Sequence, residues 1–300
     1  MMHAAFPVSG TGVTGADQLV VCVAVSVCLS RSLVLVMRRR TILAVGAGCA
    51  GVAGSAGAWL VGNRSSGGPD PVIPTAPVGD ERLERRGSAA RGRPVDFYTA
   101  VPAGHGDGRG LPVCLTLHGA STSARDFPSL GLGRFLTDAV SHGAAPFVLA
   151  GATGDRLGWR PAGRDDPQRM LVEDIPAWCA ERGFDTGRMA VWGWSMGGYG
   201  ALLLALTVPG LVRSVAALSP AVRRGDPLFA GAQRLLETPI GLWCGRDDDL
   251  YEEVRALQRA LPTKPVAGGY TTGRHNFGYW STVIPAAFSF IAATLTPATP

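Results

Sequence analysis

The sequence predicts an α/β domain with a mainly parallel central sheet and helices on both faces, and three observations carry this reading. Of 300 residues, 46% are hydrophobic and 17% charged, too much apolar material for a disordered chain and too little charge for a coiled coil. Seven short apolar runs bounded by Gly or Pro recur between residues 95 and 270. Segments of helical spacing separate them, and the runs are predominantly apolar rather than alternating, as strands covered on both faces are.

Taken in order, residues 95–101 (VDFYTAV) and 112–117 (PVCLTL) are β-branched and aromatic runs, the second opened by Pro112 and closed by His118-Gly119. A helix is expected over 127–141, where Phe127, Leu130, Phe135 and Leu136 recur at helical spacing, followed by a strand over 146–150. Residues 170–182 read as a helix and 188–192 (RMAVW) as a strand; residues 196–207 read as a third, almost wholly apolar helix. The same alternation gives strands at 214–218, 239–243 and 266–270, and helices at 227–236, 251–261 and 281–295. No internal repeat interrupts it. The body, expected to span 94–300, has about 205 residues, ample for the core of one domain.

Upstream the composition changes twice. Residues 19–37 and 41–62 are apolar, the second with 22 uncharged residues and six glycines, and Arg38, Arg39 and Arg40 stand between them. Met37, the paired arginines, a weakly hydrophobic Gly- and Ala-rich stretch and the triplet Ala56-Gly57-Ala58 resemble a twin-arginine export signal. Residues 1–36 are accordingly read as lying ahead of the true start at Met37, and 37–62 as a signal or, at about 33 Å if helical, a membrane anchor. Either way the body is expected outside the cytoplasm, secreted or anchored by its N-terminal segment, with the export machinery as a partner. Residues 63–93 are rich in Pro, Gly and alternating charge without apolar periodicity, and read as an extended linker.

Charge and thiols point away from several functions. The formal net charge is +5, but residues 1–60 hold four arginines against the single acid Asp17, and Lys264 is the only lysine. No clustered basic face for nucleic acid follows. The six cysteines include no C-x-x-C, so neither a zinc site nor a dense disulfide framework is expected. No phosphate loop or dinucleotide fingerprint appears, and no cofactor or metal is expected.

The informative run is Gly193-Trp194-Ser195-Met196-Gly197, set between a predicted strand and a predicted helix. A serine at such an apex is strained and exposed, and glycines two before and two after it let strand and helix approach closely. The helix N-terminus offers the Met196 amide and a favourable dipole to an oxyanion formed when Ser195 attacks a carbonyl. Chain order then requires an acid followed by a histidine. Of the five histidines, only His275 follows the serine, after the last predicted strand. Asp247, Asp248 and Asp249 follow the strand at 239–243; the spacing from Gly245 selects Asp248 to hold the His275 tautomer, with Asp226 as runner-up. The second oxyanion donor is expected from the loop Leu117-His118-Gly119-Ala120-Ser121, at the Ala120 amide, with His118 ordering that loop.

The motifs G-W-S-M-G-G-Y-G-A-L, L-H-G, C-G-x-x-D-x-L-Y and G-x-H-x-x-x-Y-W resemble the esterase branch of the α/β-hydrolase superfamily, which includes S-formylglutathione hydrolase (esterase D), enterochelin esterases and mycolyltransferases. The resemblance spans about residues 95–295. It implies a Ser195, Asp248, His275 triad and carboxylic-ester chemistry; the mycolyltransferase branch uses a glutamate as its acid, and the aspartates here depart from it.

Only 18 residues separate Pro220 from Pro239, and 26 separate Asp248 from His275, too few for a large lid. The pocket is therefore expected to be shallow, with Trp159, Trp194, Tyr251 and the Tyr279-Trp280 pair as its walls. Three functions stay open at this point: a serine esterase of short or exposed acyl groups, an acyltransferase on envelope sugars or lipids, and a catalytically silent extracytoplasmic binding module.

Overall fold

The computed structural model describes residues 69–296. The start, signal and anchor readings at 1–62 lie outside the described residues. Eight strands form one sheet: β1 Glu81–Ser88, β2 Arg93–Ala100, β3 Pro112–Leu117, β4 Val148–Ala152, β5 Asp185–Trp194, β6 Val215–Leu218, β7 Ile240–Gly245 and β8 Ala267–Thr271. Their order is β1-β2-β4-β3-β5-β6-β7-β8, antiparallel at β1/β2 and β2/β4 and parallel from β4 to β8. The α-helices are α1 Leu132–Ser141, α2 Pro167–Arg169, α3 Ile175–Glu181, α4 Met196–Thr207, α5 Pro227–Ala230, α6 Tyr251–Ala260 and α7 Phe277–Leu295.

Side-chain alternation divides the core into two clusters, one on each face of the sheet. In β3, Val113, Leu115 and Leu117 join the cluster of α3, α4 and α6, while Cys114 joins that of α1 and α7. In β5, Met189 and Val191 go one way, and Ala190, Trp192 and Trp194 the other. Trp192 meets Phe288 of α7 edge to face at 5.1 Å, both fully buried, and full burial of an aromatic side chain of this size stabilises by about 2 to 3 kcal/mol. α4 is buried from Met196 to Leu206, which explains why its sequence shows no polar face.

The linker expected over 63–93 is corrected by the structure. Its last third holds β1, paired with β2 from Glu81↔Ala100 to Ser88↔Arg93 through a turn with Gly92 at φ 63°. An edge strand needs few apolar side chains, so its charges concealed it from a hydrophobicity pattern. Residues ahead of β1 are also packed: the Val72 amide donates to Ser281 Oγ of α7 at 3.1 Å. Ile73 fills the space that a side chain on Gly131 would need. Three helix boundaries also shift. Pro128 and Gly131 (φ 74°) delay α1 to Leu132, a π-helical turn over Met170–Asp174 interrupts the stretch before α3, and Asn276 caps α7 so that it starts at Phe277.

Candidate active site

β5 delivers the chain to Ser195 and α4 carries it away. Ser195 has φ 55° and ψ −119°, a conformation costing about 1 to 3 kcal/mol for a residue with a side chain. The surroundings impose it: the Ser195 amide donates to Leu218 O at 2.9 Å, and its carbonyl accepts from the Ala221 and Tyr199 amides at 2.9 and 3.0 Å. A Cβ on Gly197 would lie 2.0 Å from Leu117 O, and one on Gly193 2.6 Å from the same atom. Only glycine fits either position.

Past Ser195 the side chains meet in a line. His275 Nε2 lies 2.8 Å from Ser195 Oγ, and His275 Nδ1 lies 3.0 and 2.9 Å from the Asp248 carboxylate oxygens. The Asp248 side chain is wholly buried, whereas Asp247 and Asp249 are exposed. Burial opposes ionisation of Asp248, but the His275 hydrogen bond and charge, the Leu250 amide at 2.8 Å and the Ser219 hydroxyl together hold its pKa below the usual 3.8. An ionised carboxylate only accepts, so His275 Nδ1 carries the proton and Nε2 is left as the acceptor for the Ser195 hydroxyl. Asp226 instead binds Arg160 and the Arg223 amide, away from the histidine.

The loop after β3 lies beside the serine: a Cβ on Gly119 would stand 3.5 Å from Ser195 Cβ. The Ala120 amide donates to no acceptor among the described residues, and Met196 is the first residue of α4, where helix amides are unpaired. His118 is fully buried. Gly154 N–H donates to its Nε2 at 2.8 Å, so Nδ1 carries the proton and donates to Gly119 O at 2.8 Å. That carbonyl belongs to the same peptide unit as the Ala120 N–H, so His118 sets the plane of the expected oxyanion donor. Burial pushes the His118 pKa down to about 4, which keeps the ring neutral.

The aromatic walls require correction. Trp159 (0% exposed), Trp194 (1%) and Trp280 (7%) are core residues, and Tyr279 is buried too. Trp159 lies against α4 at Gly200 and packs against His118 with the two rings tilted by 56°; Trp194 packs against Phe127 and Phe277; Trp280 stands edge-on to the His275 ring at 5.0 Å. They shape the site from behind. Tyr251 is half-buried against Tyr270. The open groove at His275 is polar, lined by Asp247, Asp249, Arg274, His275 and Asn276; a second groove, of mixed polarity, is lined by Ala120, Ser121, Ser123, Asp126, Thr153 and Asp155 among others. Three site residues escaped the sequence reading of the triad: Ser219, Asn276 and the Gly154 amide that fixes the His118 tautomer. Only Asn276 left a signal, as a helix-capping residue directly after the histidine.

Among the described residues no cluster of His, Cys, Asp and Glu suits a metal ion. Comparison with known proteins follows the same lines. The family model described as "Putative esterase" matches residues 88–261. Searching curated proteins by sequence gives no match. Among solved structures, a ferulic acid esterase superposes with a TM-score of 0.65 at 16% identity, covering 73% of this chain and 100% of that one. An S-formylglutathione hydrolase from Agrobacterium tumefaciens gives 0.61 at 17% identity, covering 75% and 99%. MPT51 (FbpC1) of Mycobacterium tuberculosis gives 0.54 at 15%, covering 73% and 100%. At these identities the structures speak for the fold, and the family match, which spans more than half the chain, speaks for the lineage. The chain belongs to the family described as putative esterases, has the α/β-hydrolase fold and is an enzyme of the esterase kind.

Proposed function

We propose that the protein is a serine esterase that cleaves carboxylic esters with short or exposed acyl groups through an acyl-enzyme on Ser195. The observation that carries the reading is the unbroken contact line Ser195 Oγ, His275 Nε2, His275 Nδ1, Asp248. His275 takes the hydroxyl proton as Oγ attacks the ester carbonyl, and Asp248 stabilises the imidazolium that forms. The amides of Ala120 and Met196 receive the negative charge on the carbonyl oxygen. His275 then returns its proton to the leaving alcohol, and water repeats the sequence in reverse to release the acid. The polar groove at His275 suits small or polar esters better than a buried lipid chain.

The test is turnover of p-nitrophenyl acetate and butyrate, with labelling by a fluorophosphonate probe. Ser195→Ala is expected to lower turnover by at least about 10⁴-fold and to abolish labelling. An unlabelled but folded wild-type chain would return the silent binding module to favour, and faster transfer to an added alcohol than to water would favour an acyltransferase. Export under a twin-arginine signal remains part of the proposal, and N-terminal sequencing of protein recovered outside the cytoplasm checks it.

A further inference from the structure

A buried hydroxyl behind the triad has no assigned part in the reaction. Ser219 directly follows β6 and is wholly buried, and its amide is tied to Trp243 O of β7 at 2.7 Å. Its φ is 42°, in the left-handed region, where glycine is the unstrained choice. Only three other non-glycine residues among those described share a positive φ, and one of them is Ser195. A serine kept in such a conformation draws attention to its hydroxyl.

The hydrogen-bond inventory of that hydroxyl is closed on one side. Trp280 Nε1 donates to Ser219 Oγ at 3.0 Å, both groups buried. An indole N–H can only donate, so the single Ser219 proton must go elsewhere. Two acceptors face it, the Asp248 carboxylate and the Cys244 thiol. The ionised carboxylate is much the stronger. Oδ1 takes the Leu250 amide and His275, Oδ2 takes His275, and the neutral Cys244 thiol beside the carboxylate is a far weaker donor than a hydroxyl. Trp280, at the other end of the link, stands at 87° to the His275 ring with centroids 5.0 Å apart.

We propose that Ser219 is a positioning residue: its hydroxyl, held by the Trp280 indole, donates to the Asp248 carboxylate and so fixes both the acid and the aromatic wall against which the His275 ring stands. This rests on the triad reading above and adds to it. One residue at the end of β6 thereby couples β7, which leads to Asp248, with α7, which begins beside His275. Ser219 touches no reacting atom, and its influence passes entirely through Asp248 and Trp280.

The experiment compares Ser219→Ala, Ser219→Gly, Trp280→Phe and Ser195→Ala with wild type in p-nitrophenyl acetate hydrolysis from pH 5 to 9, alongside thermal melting by circular dichroism. Ser219→Ala is expected to lower kcat about tenfold with little change in KM. It should also move the acid limb of the kcat/KM profile to higher pH, because a carboxylate that loses a donor binds protons more readily and the coupled pair titrates together. Ser219→Gly relieves the backbone strain but lacks the hydroxyl, so the same kcat loss and the same shift are expected even if the melting temperature rises. Trp280→Phe leaves the Ser219 proton in place and is expected to give a smaller kcat loss. A wild-type pH profile in both Ser219 variants, or a kcat loss in Ser219→Ala that Ser219→Gly restores, would overturn the proposal while leaving the triad intact. Activity surviving in Ser195→Ala would overturn the triad reading and this proposal with it.

Discussion

His118 makes a quantitative prediction about stability against pH. The ring is fully buried, accepts from the Gly154 amide and donates to Gly119 O, an arrangement that only the neutral form can make. Its pKa is pushed from the ordinary 6.5 down to about 4 by burial. Above about pH 6.5 folded and unfolded chains both hold a neutral imidazole. Between 6.5 and 4 the unfolded chain takes up a proton that the folded one refuses, so stability falls as the pH falls; below about 4 both are protonated and the loss is complete. At about 1.4 kcal/mol per pH unit the loss amounts to about 3 kcal/mol. His118→Asn removes the titration and keeps a donor for Gly119 O, but it leaves the Gly154 amide without its acceptor, costing about 1 to 3 kcal/mol at pH 7. Urea denaturation of both chains from pH 7 to pH 4 should therefore show the variant less stable at neutrality and the gap closing, or reversing, toward pH 4. The difference between the two curves cancels every other titrating group. A gap that stays constant over the range refutes the neutral, two-sided role given to this ring. Turnover adds a second reading, because a loosened Gly119–Ala120 peptide should lower kcat about tenfold, less than outright loss of an oxyanion donor.

Two further substitutions test the site. Asp248→Asn is expected to leave the fold intact and lower kcat by about 10⁴-fold, because an amide donating to His275 Nδ1 reverses the tautomer; a loss under tenfold in p-nitrophenyl acetate hydrolysis would contradict the assignment. Gly197→Ala places a methyl group 2.0 Å from the Leu117 carbonyl, a backbone atom that cannot swing aside. It should destabilise the domain by more than about 3 kcal/mol, seen as a lowered melting temperature or insoluble chain.

The elements read most accurately from the sequence are those enclosed on both sides. Strand β3 and helix α4 have the boundaries expected, 112–117 and 196–207, since each is apolar along its length and ends at Gly, Pro or polar residues. β1 was invisible because half its surroundings are water, and its charges resemble those of a linker. The serine, aspartate and histidine were legible because the order of three residue types along a chain survives folding. The aromatic walls were not: Trp194 stands two residues after Trp192, so the pleat sends both toward α7 rather than toward the pocket. That inference was available from strand period alone, whereas the place of Ser219 depends on where β6, β7 and α7 converge, which no local pattern records.

The two strands at the rim of the sheet have a consequence for solubility. β1 presents Glu81, Arg82, Glu84, Arg85 and Arg86 within eight residues, so a foreign strand arriving at that rim would have to set its own side chains against alternating charges. The opposite rim is guarded differently. β8 carries Gly268 at φ 108° and Gly269 at φ 153°, backbone conformations outside the usual strand range that an incoming strand would have to match. Among the described residues, one rim of the sheet deters pairing by charge and the other by its glycine backbone.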